Sequence, residues 1–473
     1  MPRESGKHES LQSQTARRAR CSATLQCAGC HWLQSRDYRR GSQLKIKGSN
    51  SKVKPVPDRL LTRRDMLSLM TTPIVLSALP LGAESTTPSS AEYDLLIKGG
   101  KVVDPSQNIE EELDVAIRGG KIVLLQRDIP ASQAQQVLDA KGKIVTPGLI
   151  DLHVHVLPYV GETGTEADPC CVSRGVTTVV DAGSAGAFTL PALRKFVVEK
   201  SETRVRSLVH IVAIGMIVSI TPGMEELGDL RFCDPKRAAK AALENKDLVL
   251  GFKLRIDRKF TIPGSNDMEA MKRARAACDE TSLPLTTHIG GSYTPLKEFL
   301  VMMKERDIVT HIYNPRPNSI LDDSGKLLPE VLDARKRGVR FDIGHGRTNF
   351  SFRVAEKCMG QGLIPDTISS DVSNGSVRGP VFDLMTTMTK MMVLGMNLRE
   401  VVERTTINAA RSLNFGLEIG TLKPGAEADV AIIELRSGEF NFVDSEGQTR
   451  TAHQKLEPSA TVRAGKVIYP AKA

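Results

Sequence analysis

The stretch Gly148-Leu149-Ile150-Asp151-Leu152-His153-Val154-His155 follows Pro147 and reads as a buried strand that carries two histidines. Side chains on a strand alternate faces with a period of two, so His153 and His155 point the same way. Two neutral imidazoles at the end of one strand can grip a single metal ion. A pair of core histidines bonded to carbonyls would leave the same string. The rest of the chain has to separate the two readings.

Upstream, YDLLIKGGKVVDP, LDVAIRGGKIVLL and KGKIVTPG read as short alternating strands broken by Gly-Gly and Asp-Pro turns. ADVAIIEL and SATVRAGKVIYP near the far end read alike. Between them, LIDLHVH, VTTVVDAG, SLVHIVAIG, LVLGFKLRI, LPLTTHIG, IVTHIY, VRFDIGHG and TISSDVS alternate with amphipathic helical segments. Eight such βα units with near-continuous apolar strands predict an α/β fold, a TIM (β/α)8 barrel. We expect a catalytic barrel over 147–416 and a small composite β-sandwich over 91–146 and 417–470. Sites in this architecture gather at the C-terminal strand ends. His153 and His155 close the first strand, and Lys253 and Arg255 lie in the fourth. His288 ends the fifth, His311 lies near the end of the sixth, His345 follows the seventh, and Asp371 closes the eighth. Independent core histidines would not recur at corresponding positions, which favours a site.

The net charge of +9 has a local origin. Residues 1–64 hold 15 Lys and Arg against 4 Asp and Glu; removing that +11 leaves −2 for the remainder. A near-neutral folded part argues against nucleic-acid or membrane-surface partners. The leader, 1–83, is expected to be largely disordered. Arg63-Arg64 ahead of the short apolar run from Met66 to Leu81 resembles a twin-arginine export signal with cleavage near Ala83, which predicts a periplasmic or otherwise exported protein, with a cytoplasmic one as the alternative. Pro73 and Pro80 interrupt that run, so no stable membrane insertion is expected. Some sixty residues before the arginines exceed what such a signal needs, which suggests a true start further downstream, with Met1–Pro57 neither structured nor translated. The C-x-x-C-H string from Cys27 to His31 precedes the signal and would leave with it, which argues against haem. Cys170, Cys171, Cys233, Cys278 and Cys358 remain, an odd number that does not look like a disulfide framework.

Together these motifs resemble the amidohydrolase superfamily of metal-dependent hydrolases, from Tyr93 to about Pro470. GFKLRID, THIG, THIYNP, DIGHG and SSDVSNG are most similar to its deacetylase group, neighbours of dihydroorotases and D-aminoacylases. The resemblance implies two divalent ions, with zinc the expected metal, and a carbamate on Lys253. One ion takes His153, His155, the Lys253 carbamate and Asp371; the other takes the same carbamate, His288 and His311. It implies hydrolysis of acyl groups, acetyl above all, from small N-acyl or O-acyl carboxylic acids, with Asp371 moving the proton and Arg255 stabilising the oxyanion. A structural salt bridge is the other reading of Lys253, and a partner for a carboxylate the other reading of Arg255.

Tyr313, Asn314 and His345 are candidate substrate contacts, while a turn before Pro315 and a loop cap would explain them structurally. Arg316, Arg347 and Arg378 are candidates for holding a substrate carboxylate. His210 reads as a core histidine, and Met385, Met388, Met391, Met392 and Met396 as helix packing. A dihydroorotase-like cyclic amidase, a D-aminoacylase or a dipeptidase would use the same site. A barrel that only binds would lack some of the ligand residues.

Overall fold

The computed structural model describes residues 91–219, 224–259 and 266–470. All lie in the second of the two units into which the chain divides, Met1–Ala83 and Glu84–Ala473. The arginine pair and the Cys27–His31 string lie outside the described residues.

The described chain starts with five strands: β1 (Tyr93–Asp104), β2 (Ile109–Arg118), β3 (Lys121–Gln126), β4 (Ala134–Asp139) and β5 (Ile144–Pro147). Seven more alternate with helices: β6 (Leu149–Val154), β7 (Val176–Gly186), β8 (Arg204–His210), β9 (Val249–Arg255), β10 (Leu285–His288), β11 (Ile308–Thr310) and β12 (Arg340–Asp342). Three close the chain: β13 (Val430–Val443), β14 (Thr449–Arg463) and β15 (Lys466–Tyr469).

β6 to β12 form one parallel sheet in sequence order. Every residue of β6, β7 and β9 is buried, as strands covered on both faces require. Helices pack over this sheet with apolar faces inward. The helix Pro235–Glu244 buries Ala238, Ala239 and Ala242, and Asp234 caps it by accepting from the Arg237 amide at 3.1 Å. Met385, Met388 and Met391 are buried on the helix Leu384–Val393, as their spacing predicts.

TISSDVS departs from expectation. It is no regular strand, although backbone bonds still join it to both sheet edges: the Ile343, His345 and Gly346 amides donate to Thr367, Ser369 and Ser370 O, the Asp371 amide donates to His153 O, and the His155 amide donates to Val372 O. Side chains add to this pairing. Asp151 accepts from the Ser370 amide, and Asp342 accepts from the hydroxyls of Thr367 and Ser369. Asp371 has φ of 51°, left-handed backbone that interrupts a ladder. The result is a curled, TIM-barrel-like α/β sheet.

The other strands form a separate eight-stranded sheet in the order β15-β14-β13-β5-β1-β2-β3, with β4 paired to β1. Both ends of the described chain therefore meet in one sheet, as β13 runs antiparallel to β5 with Val430 opposite Pro147. Arg204 of β8 ties the two sheets: its guanidinium pairs with the buried Asp429 carboxylate and donates to Thr178 Oγ1 at 2.9 Å. The β13–β14 hairpin is longer than the sequence suggests. Its tip docks on 350–352, where the Ser445 amide donates to Phe350 O at 2.9 Å and Asp444 accepts from the Phe352 amide at 2.9 Å.

Candidate metal centre

The strand ends converge on a cavity of about 580 Å3 whose wall includes His153, His155, Lys253, His288, His311 and Asp371. Adjacent strands deliver them in register: His210 lies opposite Lys253, His288 opposite Arg255, and Thr310 opposite His288. All six of the expected ligand residues are buried. His311 and Asp371 carry φ values of 72° and 51°, strained backbone at the two positions where the chain must turn a donor inward.

His155 Nε2 lies 3.1 Å and His153 Nε2 3.6 Å from Asp371 Oδ1. One donor atom from each of these three side chains falls within 4.8 Å of the others, a spacing that suits one ion. Lys253 Nζ sits 3.1 Å from His153 Nε2. The His288 and His311 rings lie 4.2 Å apart, and His288 Nε2 is buried with no hydrogen-bond partner. An imidazole nitrogen orphaned in a buried site fits a metal ligand. These residues therefore fit a metal centre.

The outer ring nitrogens are held by the fold, which decides where the inner lone pairs point. His311 Nδ1–H donates to Gly344 O at 2.6 Å. His153 Nδ1 lies 3.1 Å from Thr310 Oγ1, whose hydroxyl donates onward to Asp342 at 2.8 Å. Thr310 must then accept from His153 Nδ1–H, which leaves Nε2 unprotonated and facing Lys253. His155 Nδ1 contacts Ser184 Oγ at 3.0 Å.

Burial holds the imidazoles in the neutral form that binds metal. It pushes His153 and His288 well below the usual histidine value and His311 down to about 3. Burial likewise brings Lys253 down to about 7, against the raising effect of Asp371. For Asp371 burial acts upward, but the His155 hydrogen bond and neighbouring charges outweigh it and hold the carboxyl below its ordinary range.

Arg255 reaches the cavity, but Glu226 holds it. Arg255 Nε donates to Glu226 Oε2 at 3.1 Å, and Nη2 pairs with Oε1. Glu226 also lies 3.5 Å from His210 Nε2, which is buried with no hydrogen-bond partner, while His210 Nδ1 accepts from the Val212 amide; His210 lies off the cavity wall. Glu226 went unnoticed in the sequence; its only signal is the Glu225-Glu226 pair in the loop after β8.

The candidate substrate contacts need correction. Tyr313 is fully buried, donating to Leu363 O at 2.9 Å beside Phe350. Asn314 is buried and bonds to Ile289 O and His311 O. His345 is buried against Phe350, with its ring nitrogens on Lys390 Nζ and Gly346 O. None of the three lines the cavity, because each turns behind the strand ends. Arg316 and Arg347 do line it, together with Thr348 and Asn349, and Arg378 does not. Arg316 is already engaged with Asp257 and with Thr348 Oγ1, at 2.7 Å.

A family model for the amidohydrolase family matches residues 144–468. The chain belongs to this family. It is 34% identical over 380 residues to a deacetylase of Enterococcus faecalis, covering 80% of this chain and 99% of that one. Among solved structures it resembles one titled an adenine deaminase, at 33% identity and TM-score 0.73, with 79% of this chain and 99% of that one covered. Another, titled a dihydroorotase, matches at 29% identity and TM-score 0.71, with 79% and 98% covered. As an amidohydrolase the chain is a metal-dependent enzyme. No helix among the described residues is long and apolar enough to cross a membrane.

Proposed function

We propose that this amidohydrolase removes acyl groups, acetyl above all, from small N-acyl or O-acyl carboxylic acids at a binuclear centre, most simply of zinc. The observation that carries the reading is the meeting of Lys253, buried and shifted to about 7, with His153 and Asp371 on one cavity wall. A neutral Lys253 amine can add carbon dioxide and release a proton, giving a carbamate anion whose oxygens would be metal ligands. His153, His155, Lys253 and Asp371 would then hold one ion, and Lys253, His288 and His311 the other. When bound, such ions acidify the attacking water and polarise the substrate carbonyl.

The chain's own residues supply the remainder. Asp371, ionised near neutrality, takes the proton of the attacking water and returns it to the leaving nitrogen or oxygen. Arg255, oriented by Glu226, stabilises charge developing on the carbonyl oxygen. Arg347 lines the cavity wall and is the candidate to meet a substrate carboxylate, while Arg316 beside it is held by Asp257 and Thr348. The deacetylase-named relative supports acyl removal, and the dihydroorotase likeness keeps cyclic amides in the test. Metal-loaded protein should hold about two divalent ions per chain and lose turnover on chelation. It should hydrolyse some member of a panel of N-acetyl amino acids and O-acetyl hydroxy acids, tested as both enantiomers. Turnover of dihydroorotate or adenine alone would overturn the acyl reading, and full activity of metal-free protein would overturn the metal reading.

Export through Arg63-Arg64 belongs to the same proposal. N-terminal sequencing of protein from its native host should place the first residue near 84; an active species that retains residues 1–60 refutes it.

A further inference from the structure

His345 and Lys390 form a buried pair outside the catalytic cavity. Lys390, on the helix Leu384–Val393, is fully buried. Its Nζ lies 2.8 Å from Pro380 O, 2.7 Å from Val443 O and 2.8 Å from His345 Nε2. No ion pair to a carboxylate is found for it among the described residues.

The protons on this pair follow from its surroundings. His345 Nδ1 sits 2.8 Å from Gly346 O, and a carbonyl oxygen only accepts, so Nδ1 carries the hydrogen. A neutral imidazole then has its lone pair on Nε2, which must accept from Lys390. All three partners of Lys390 are acceptors and so favour the three N–H bonds of an ammonium, against burial, which draws the group down to about 7. The ring stacks on Phe350 with centroids 4.4 Å apart, which fixes its plane.

This pair sets a turn that touches the metal site twice. Gly344 O accepts from His311 Nδ1–H at 2.6 Å. Gly344 and Gly346 both have positive φ, 50° and 56°. A Cβ on Gly344 would fall 2.8 Å from His311 Nδ1, and one on Gly346 2.2 Å from Asp371 Oδ2. The Gly-His-Gly turn therefore lies against His311 and Asp371 with no space for a side chain. The other acceptor, Val443 O, comes from the end of β13, next to the hairpin tip that docks on 350–352.

We infer that Lys390 and His345 are positioning residues. Lys390 locks His345 as the Nδ1–H tautomer, and the locked ring holds the Gly344–Gly346 turn that orients His311 and Asp371. The β13–β14 hairpin is thereby part of the site's support, since its backbone shares the Lys390 ammonium. This inference rests on the proposed metal-dependent function.

Three measurements on the full chain test it. In wild-type protein, 15N ring shifts of His345 should show an Nδ1–H tautomer; an Nε2–H tautomer overturns the inference. Lys390→Met should lower kcat about 10- to 100-fold and speed loss of metal to a chelator by a similar factor, as loss of an outer-shell partner does. KM should change far less, because no substrate contact is removed. A folded Lys390→Met with wild-type kcat and wild-type chelator half-time overturns the inference. If Lys390→Met does not fold by circular dichroism, His345→Gln decides in its place. It keeps an acceptor for Lys390 and loses the geometry at Gly346, so it should also release metal faster; unchanged release overturns the inference. Wild-type protein that holds no metal would refute the proposed function instead, while the tautomer measurement would still stand.

Discussion

Asp371→Asn should lower kcat by about a hundredfold to ten-thousandfold, the usual worth of general acid–base assistance, while most of the metal stays bound. This carboxylate is proposed to have two duties, as ligand and as proton carrier. Its Oδ1 faces His155 Nε2 at 3.1 Å, while its Oδ2 lies toward His311 and the Gly346 turn. Burial acts to raise its pKa, but His155 and the surrounding charges keep it ionised, so it can accept a proton near neutrality. Asparagine has nearly the same shape and cannot carry that proton. Metal should remain because four histidines and Lys253 are untouched. Paired elemental analysis and steady-state kinetics check the outcome; retained metal with near wild-type turnover would mean that another group moves the proton.

Lys253→Ala should abolish turnover and metal binding together, because it removes the one side chain proposed to serve both ions. The same substitution has a second, opposite consequence in metal-free protein. Burial lowers Lys253 from 10.5 to about 7, so between those values the unfolded chain holds a proton that the folded chain has released. The cost of burying the ammonium is therefore full below pH 7 and fades as the pH rises toward the unfolded value. Metal-free Lys253→Ala should gain most over metal-free wild type at or below pH 7, with the gain shrinking by pH 10. Urea midpoints of both proteins at the two ends of that range test the sign. A gain that grows with pH would contradict a depressed Lys253.

Strand periodicity and strand order were enough to read much of this site. A period of two puts His153 with His155 and Lys253 with Arg255 on shared faces, and parallel strands send all their C-terminal ends to one side. The apolar runs of β6 to β12 and the helices between them marked the parallel sheet for the same reason, since strands buried on both faces have little room for polar residues.

What lies beyond a strand end has no such rule. His311, with φ of 72°, and Asp371, with φ of 51°, enter the site through turns that no residue spacing announces. Tyr313, Asn314 and His345 sit three or four residues past the ends of β11 and β12, yet the loop backbone rotates them behind the wall. Glu226 lies 29 positions before Arg255, and only folding shows that one buried cation needs that carboxylate. TISSDVS reads as an eighth strand by composition and still bonds both sheet edges through its backbone, but the left-handed Asp371 breaks the regular ladder, and Thr367 and Ser369 spend their hydroxyls on Asp342. The sequence alone thus determined which residue types face the cavity end of the sheet, because alternation is a local property of extended backbone. Tertiary structure decided which of them meet each other and which are tied up elsewhere, because a buried polar group must find its partner among whatever the fold places beside it.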